Sequence, residues 1–410
     1  MPGPLSDVRI LDLTSVLMGP YATQILGDLG ADIIKVEAPE GDRTRGIGPM
    51  RSNGMGPIYL NLNRNKRSVV LDLKKPDGRK ALLALAKTVD VLTYNLRPHT
   101  MRSLGLSYAD IRAVNDSIIY VGMFGFSQKG PYAEAGAIDD VIQGATAIPM
   151  VNARHSGDSP RYFPITIADR SVGLYAMGMI NAALYHRAKT GQGQEIAVPM
   201  FETMTTYVLG DHLYGHTFEP PLGDFGYPRL MSSARRPYAT KDGLVCCVVY
   251  TDKDWKAFLA RVGKGEWFAT DARFRDMGSR TRHISELYQL VSDELALRTT
   301  AEILALLEGS GIPNFPVHTF ETLLEDRHLK AIGLFEHIDH PSEGRLLAMQ
   351  PPGEWSEAKP AITRHAPLLG EHSVEVLREA GYDEGGIDEL MAAGVSVDGR
   401  MIPSPNTAPE

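Results

Sequence analysis

Cysteine is scarce in this chain, with only two among its 410 residues. Cys246 and Cys247 are adjacent in the apolar run GLVCCVVY, which has the character of a strand. Neighbouring side chains on a strand point to opposite faces, which disfavours a bridge between the two, and their spacing fits no metal site. We therefore expect two buried thiols in a reducing compartment.

The chain also lacks an excess of basic residues and any long apolar run. Its formal net charge is −8 and its pI is near 5.9, which gives no support to a nucleic-acid surface. No apolar run reaches the length of a membrane span, and the start MPGPLSDVRI lacks the basic and apolar regions of a signal peptide. We expect a cytoplasmic protein with neither a nucleic-acid nor a membrane partner, and its length favours two domains.

The N-terminal stretch alternates strand and helix patterns. VRILDL predicts a buried strand, YATQILGDLGAD a helix and IIKVE a second strand. Such a βαβ start predicts an α/β fold with a parallel sheet. The first strand-to-helix turn, SVLMGPY, contains no GxGxxG motif, which argues against a dinucleotide site.

The same alternation continues along the chain. SVVLDL, DVLTYN and SIIYVGMFGF predict further strands, and residues 76–87 predict a helix with proline at its start. Residues 201–225 begin as a helix and end as a Pro/Gly-rich linker, and 226–325 predict a smaller α+β domain with a strand-turn-strand unit in RRPYATKDGLVCCVVY. Strand and turn character returns in HIDHPSEGRLLAMQPP, followed by terminal helices and a loose polar tail from Val397.

A single carboxylate, Asp169, stands out in the stretch 164–200, which reads as a short strand, a long helix of small residues, a glycine turn and a second strand. A strand-to-helix junction lies at the carboxyl edge of an α/β sheet, where ligands bind. The residues alone leave two alternatives, a catalytic group or an N-cap of the helix. The small side chains in the helix predict a central, buried element that another backbone approaches closely.

Two charged groups flank the predicted strands. The basic residues are either a solvated face or a phosphate-binding cluster; they are Arg64, Lys66, Arg67, Lys74 and Lys75. Asp139 and Asp140 begin a predicted helix, where capping and compensation of the helix dipole explain them without a further role.

Seven segments, in this order, resemble the class III CoA-transferases, a group that includes formyl-CoA and carnitine CoA-transferases and the α-methylacyl-CoA racemases. The resemblance covers nearly the whole chain and rests on LTSVLMGPYATQILGDLGADIIKVE, NRNKRSVVLDLKKPDGR, DVLTYNLRP, GFSQKGPYAE, the Asp169 helix with KTGQGQ, GIPNFPVHT with EDRHL, and APLLGEHS.

The resemblance implies an architecture. Residues 1–200 and 326–410 would form a large Rossmann-like CoA-binding domain, with the small domain inserted between them. Two subunits would be threaded through each other as an interlocked homodimer.

The resemblance also implies a chemistry. Asp169 would be the nucleophile that forms an aspartyl anhydride and then an aspartyl-CoA thioester, with helix N–H groups near Ser171 and Val172 facing the developing charge. Acyl-CoA and a carboxylic acid would be the substrates, with no metal and no permanently bound cofactor. The implied CoA-binding residues are Val16, Leu17, Met18, Leu71, Asp72, Leu73, Lys74, Asn95, Leu96, Arg97, Arg102, Asp139 and Asp140.

Two departures affect the nucleotide end of this set. Ala38 stands where the family often has a basic residue after the IKVE glutamate, and Ser103 replaces the usual arginine before LG. Arg97, Arg102 or Lys74 would take over these phosphate contacts.

The racemase branch needs a second acid or base facing the first. Where the racemase branch has a histidine, this chain has Asp139. The branch also has an acidic residue before its YxTxDG strand, but no acidic residue occurs here from Pro228 to Thr240. Asp169 is therefore expected to work without a partner for proton transfer. Transfer is favoured over racemisation, with a non-catalytic CoA-binding protein as a further alternative. Arg229, Arg235 and Arg236 occupy the segment that is a Gly-rich lid in formyl-CoA transferases, and Arg235 and Arg236 are candidates to bind the distal carboxylate of a dicarboxylic acid such as succinate.

Overall fold

The structure is a computed structural model that describes residues 2–401. Most of the predicted polar tail, from position 402 onward, lies outside the described residues. The strands are β1 (Arg9–Leu13), β2 (Asp32–Glu37), β3 (Lys66–Val70), β4 (Val91–Tyr94), β5 (Ile119–Phe124), β6 (Gln194–Pro199), β7 (Tyr238–Ala239), β8 (Leu244–Cys247), β9 (Asn314–Pro316), β10 (Phe335–His340) and β11 (Gly344–Met349).

Helices connect most of these strands. The α-helices are α1 (Met18–Asp28), α2 (Pro57–Leu62), α3 (Pro76–Ala86), α4 (Pro98–Ser103), α5 (Tyr108–Arg112), α6 (Asp139–Ala145), α7 (Ile148–Ser156), α8 (Ile167–Thr190), α9 (Met200–His212), α10 (Pro228–Met231), α11 (Asp252–Arg261), α12 (Trp267–Thr270), α13 (Met277–Arg282), α14 (Ile284–Ala296), α15 (Thr300–Leu307), α16 (Phe320–Leu324), α17 (Arg327–Ala331), α18 (Ser373–Glu379) and α19 (Glu384–Ala392). Short 3₁₀ turns occur at Arg43–Gly46, Tyr214–Thr217, Ala272–Phe274 and Gly399–Met401.

Six strands form one sheet in the order β3-β2-β1-β4-β5-β6, and every neighbouring pair is parallel. β3 and β5 are buried along their whole length, as expected for a parallel sheet with both faces covered. The predicted α/β fold with a parallel sheet is therefore confirmed.

The chain divides into two compact units. Unit 1 comprises 2–146, Pro164–Thr205 and 328–401, and it contains the six-stranded sheet. On one face of the sheet Leu11 and Leu92 share a core cluster with Leu85 of α3 and with Leu377 and Leu390 of the C-terminal helices. The C-terminal segment therefore completes the core that the N-terminal segment begins.

Unit 2 comprises Ala147–Phe163 and Thr206–Arg327. β7, β8 and β9 form an antiparallel sheet, which confirms the predicted strand-turn-strand unit, and helices enclose a separate core around Trp255 and Phe258. The domain boundaries predicted from the sequence stay a prediction.

The expectation that both thiols are buried is wrong. Cys247 is buried but Cys246 is exposed, because alternate residues of β8 face opposite sides.

Candidate active site

Asp169 lies in the first turn of the longest helix of the described chain, α8. This helix begins at Ile167 and its N-cap is Thr166, so Asp169 is not the cap. The expected short strand before it is absent from the described residues: the β-branched run ITI favours a strand, but residues 164–166 are irregular and the helix begins at Ile167. Ser171 and Val172 are therefore past the first turn, where N–H groups bond to carbonyls four residues earlier and do not face a ligand.

The side chain that stabilises the start of α8 is Asp139. Its Oδ2 accepts the backbone N–H of Asp169 at 2.9 Å, and its Oδ1 accepts Nε2 of Gln143 at 2.6 Å. Asp139 is the first residue of its own helix, α6, yet its carboxylate caps the start of the neighbouring helix α8. Asp169 thus has a buried acidic neighbour whose two carboxylate oxygens already accept hydrogen bonds. The expectation that Asp169 works without a partner for proton transfer stays a prediction.

This environment changes the acidity of Asp169. Burial, and then the negative charge of Asp139, raise the pKa of Asp169 from 3.8 to about 7, against a smaller opposing effect of Arg170. Removing a carboxylate from water disfavours its charged form, and a nearby like charge does the same. At neutral pH the group is consequently divided between a protonated form and a basic carboxylate.

Asp169 lines a cavity of about 300 Å³ within unit 1. The loop before α1 and the loop after β4 form other parts of its wall. Six of the residues implied by the family resemblance lie here together with Asp169: Val16, Leu17, Met18, Asn95, Leu96 and Arg97.

Close helix packing brings the two sides of this cavity together. A Cβ at Gly173 of α8 would lie 2.7 Å from the carbonyl oxygen of Met18, which begins α1. Only glycine allows this approach, so the predicted close contact along the small-residue helix is confirmed. The prediction of a buried helix holds for one face only, since Leu174, Tyr175 and Tyr185 are 46%, 50% and 67% exposed.

A second cavity, of about 350 Å³, adjoins the first and shares Ser15 and Leu96 with it. It contains the implied set Leu71, Asp72, Leu73 and Lys74. It also contains Arg43, whose exposed side chain has no acidic partner within the described residues and which the sequence analysis missed. The available signal was its place in the loop after β2, near the position where Ala38 lacks the basic side chain.

Other predicted site residues lie outside both cavities. Arg102 and Asp140 are exposed and line neither. Three members of the basic cluster are committed to internal ion pairs, Arg64 with Asp28, Lys66 with Asp12, and Arg67 with Asp32, Glu375 and Glu379. A phosphate-binding role is therefore wrong for these three, because each is buried with its charge paired to acidic side chains of the protein itself.

Unit 2 has its own cationic cavity, of about 210 Å³. Arg229, Arg235 and Arg236 line it with Cys246 and Tyr288. Nε of Arg229 donates to the hydroxyl of Tyr288 at 2.8 Å, whereas the exposed Arg235 and Arg236 have no acidic partner in the part of the chain described.

Within residues 2–401 there is no group of three or more His, Cys, Asp or Glu suited to a metal ion, and no helix is both long and apolar enough to cross a bilayer.

Comparison with known proteins decides the family. Residues 5–373 match CoA-transferase family III. The chain belongs to this family. It is 32% identical over 397 residues to succinyl-CoA:glutarate CoA-transferase of Mus musculus, covering 96% of this chain and 90% of that protein. It is 31% identical to succinate--glutarate CoA-transferase of Agrobacterium fabrum, covering 92% and 95% of the two chains.

A solved structure agrees with this assignment to family III. Rv3272 from Mycobacterium tuberculosis superimposes with a TM-score of 0.79 at 27% identity, covering 91% of this chain and 99% of that one. The resemblance identified from the seven motifs is confirmed, and with it the prediction of a class III CoA-transferase. Acyl-CoA thioesters and carboxylates are the substrates that fit this family.

Proposed function

We propose that this CoA-transferase moves CoA from an acyl-CoA to a free carboxylic acid through covalent intermediates on Asp169. The observation that carries the proposal is the shared cavity of Asp169 with the loops at Val16–Met18 and Asn95–Arg97. A thioester held along these loops would meet the carboxylate directly. The raised pKa of Asp169 adds to this, because a more basic carboxylate is the stronger nucleophile.

Each step of the exchange conserves its atoms. The Asp169 carboxylate attacks the thioester carbonyl, the C–S bond breaks, and an aspartyl acyl anhydride forms with release of CoA thiolate. The thiolate attacks the aspartyl carbonyl of the anhydride, which gives an aspartyl-CoA thioester and frees the first acid. The acceptor carboxylate then repeats these steps in reverse order, so that no metal or redox group takes part.

Trapping the intermediates tests this directly. Incubation with succinyl-CoA followed by hydroxylamine should leave a hydroxamate on the peptide containing Asp169, identified by mass spectrometry. Asp169→Asn should lose both the adduct and acid exchange, and Asp116→Asn, an exposed acid before β5, should retain both. Adducts elsewhere, or turnover by Asp169→Asn, would refute the assignment.

A racemase is the second candidate, because Asp139 lies beside Asp169. Both Asp139 oxygens already accept hydrogen bonds, one from a backbone N–H, which fits a cap better than a proton shuttle. Exchange of the α-proton in D₂O without acid exchange would establish racemisation. CoA binding without either reaction would establish the non-catalytic alternative.

The nucleotide end of CoA would lie in the second cavity, where Lys74 and Arg43 provide positive charge. Losing one charge-assisted contact should raise KM by roughly 10-fold or more. We expect Arg43→Gln to do so for succinyl-CoA while leaving KM for succinyl-pantetheine, which lacks the nucleotide, unchanged. An equal rise for both thioesters would place Arg43 away from the nucleotide.

The acids would be dicarboxylates, bound through the distal carboxylate by Arg235 and Arg236. Two observations support this: both arginines line one cavity without an acidic partner among described residues, and the named relatives act on succinate and glutarate. Replacing both by glutamine should raise KM for succinate by roughly 10- to 100-fold and leave that for propionate unchanged. Arg275→Gln, an exposed arginine paired with Asp276, is the matched control. An unchanged KM for succinate would refute the proposal that these two arginines bind the distal carboxylate.

The assembly would be an interlocked homodimer in the cytoplasm, as the family resemblance implies. The exposed Leu174, Tyr175 and Tyr185 along one face of α8 support burial against a second copy, since monomeric proteins seldom expose a row of large apolar side chains.

A further inference from the structure

The loop between β1 and α1 has an unusual backbone conformation at Val16. Its φ of 72° lies in the left-handed region, which β-branched residues seldom adopt because the side chain crowds the backbone. Such a conformation persists only when surrounding contacts enforce it. This loop also lines the cavity that contains Asp169.

A buried ion pair supplies one set of these contacts. The Val16 N–H is shared by the two carboxylate oxygens of Asp42, at 3.3 and 3.2 Å. Nζ of Lys35, from β2, donates to Oδ2 of Asp42 and to the carbonyl of Thr14, both at 2.9 Å. The side chains of Lys35 and Asp42 are 0% and 1% exposed, so the pair is enclosed beneath the loop.

Further bonds fix the acceptor and the other side of the loop. Thr44 donates its N–H and its hydroxyl to Oδ1 of Asp42, at 2.9 and 2.8 Å. Asn95 accepts the N–H of Ser15 at 3.0 Å and donates to its carbonyl at 2.7 Å. Burial disfavours the charged form of Asp42, but the charge of Lys35 and hydrogen bonds from Thr44 outweigh it and hold the pKa at about 2, below its usual 3.8. The carboxylate therefore stays ionised at physiological pH.

We propose that Lys35 and Asp42 are positioning residues for the transfer reaction, because they hold Val16 in the left-handed conformation in which the loop receives the acyl-CoA beside Asp169. The inference rests on the proposed function. A charged acceptor beneath the loop compensates for the unfavourable conformation at Val16. The pair acts through the loop, and its enclosed side chains also border the second cavity.

Substitutions at Val16 alone test the conformational requirement without disturbing the buried pair. Val16→Pro fixes φ near −65° and removes the N–H, and it should raise KM for acyl-CoA at least 10-fold. Val16→Gly can adopt the left-handed conformation freely, so its KM should rise at least threefold less than that of Val16→Pro. Equal KM values for the two variants would overturn the inference.

The pair itself is tested by replacing both charges together, so that neither is left buried alone. Lys35→Met with Asp42→Leu should raise KM for acyl-CoA about 10-fold with a smaller change in kcat, and adding Val16→Gly should recover most of the loss. Asp28→Leu, which breaks a buried pair with Arg64 away from the cavity, should lower the Tm without changing KM. Failure of Val16→Gly to recover a folded Lys35/Asp42 variant would contradict the inference.

Different results would refute the proposed function and the positioning role of Lys35 and Asp42. If the natural protein shows no acid exchange and no adduct on Asp169, the proposed function is wrong. If the natural protein transfers CoA but the Val16 and Lys35/Asp42 variants show no difference in KM, or in the Kd for CoA measured by calorimetry, only the positioning role is wrong.

Discussion

At the scale of single residues, the environment of Asp169 predicts a pH range for the proposed reaction. In that reaction Asp169 must be ionised to act as the nucleophile, and its pKa is raised from 3.8 to about 7. The ionised fraction is therefore lost as pH falls through about 7, not near 4, and kcat/KM for acyl-CoA should fall with it. A pH profile between 5 and 9 measures the inflection.

Asp139→Asn isolates the contribution of the neighbouring charge. The amide oxygen of asparagine can still accept the Asp169 N–H, so the cap at the start of α8 is kept while the negative charge is removed. The inflection should move to lower pH, and the variant should be faster than the natural protein at pH 6. An unmoved inflection would mean that burial alone determines the pKa.

Much of the candidate site follows from residue identity and order. Asp169 and the loops near Val16 and Asn95 are predictable because their motifs occur together in one family. The partnership of Asp139 with Asp169 is not, because a first-turn aspartate in α6 reads as a cap of its own helix. Arg43 was missed because its place in the loop after β2, near Ala38, was the available signal, and one such position forms no motif.

At the scale of elements, the contact between α1 and α8 depends on one glycine. Gly173→Ala would place a methyl group 2.7 Å from the Met18 carbonyl and push apart two helices that both line the Asp169 cavity. We expect a loss of roughly 1–3 kcal/mol in the free energy of unfolding and a lower kcat/KM. Thermal and urea unfolding, with kinetics on the same preparation, provide the measurement.

The same helix offers a matched control. Gly178 has no atom within 4 Å of the position of a Cβ, so Gly178→Ala should gain roughly 0.5–1 kcal/mol from helix propensity. If both substitutions had the same effect, close packing at Gly173 would not be the cause.

Element prediction succeeded where a pattern has only one physical interpretation. The first five strands of the parallel sheet contain short apolar runs bounded by turns, and all five predicted between Val8 and Phe126 are present. The pattern before Asp169 has two interpretations, because the β-branched run ITI is typical of a strand but also fits the start of a helix. In the folded protein this segment leads into α8, which packs closely against α1 at Gly173. The sequence of one segment does not reveal such a contact with a distant element.

At the scale of the whole molecule, buried charge is a consequence of the sheet. Asp12 and Lys35 are register partners on β1 and β2, and Lys66 of β3 donates to Asp12. The sequence leaves Lys66 either on a solvated face or in a phosphate-binding cluster, and no pattern in it indicates the burial of Lys35. Internal ion pairs therefore lie within the sheet, and the pair of Lys35 with Asp42 also bonds to the loop at Val16 beside the candidate site.

The proposed interlocked assembly makes a prediction that an ordinary dimer does not share. The protein should elute at twice its 44.9 kDa chain mass at all accessible concentrations. When tagged and untagged dimers are mixed under native conditions, no mixed species should form over days, because threaded chains cannot separate without unfolding. Denaturing the mixture and refolding it should produce the mixed dimer. Exchange under native conditions on the timescale of subunit dissociation would rule out interlocking and leave a dimer joined by surface contact alone.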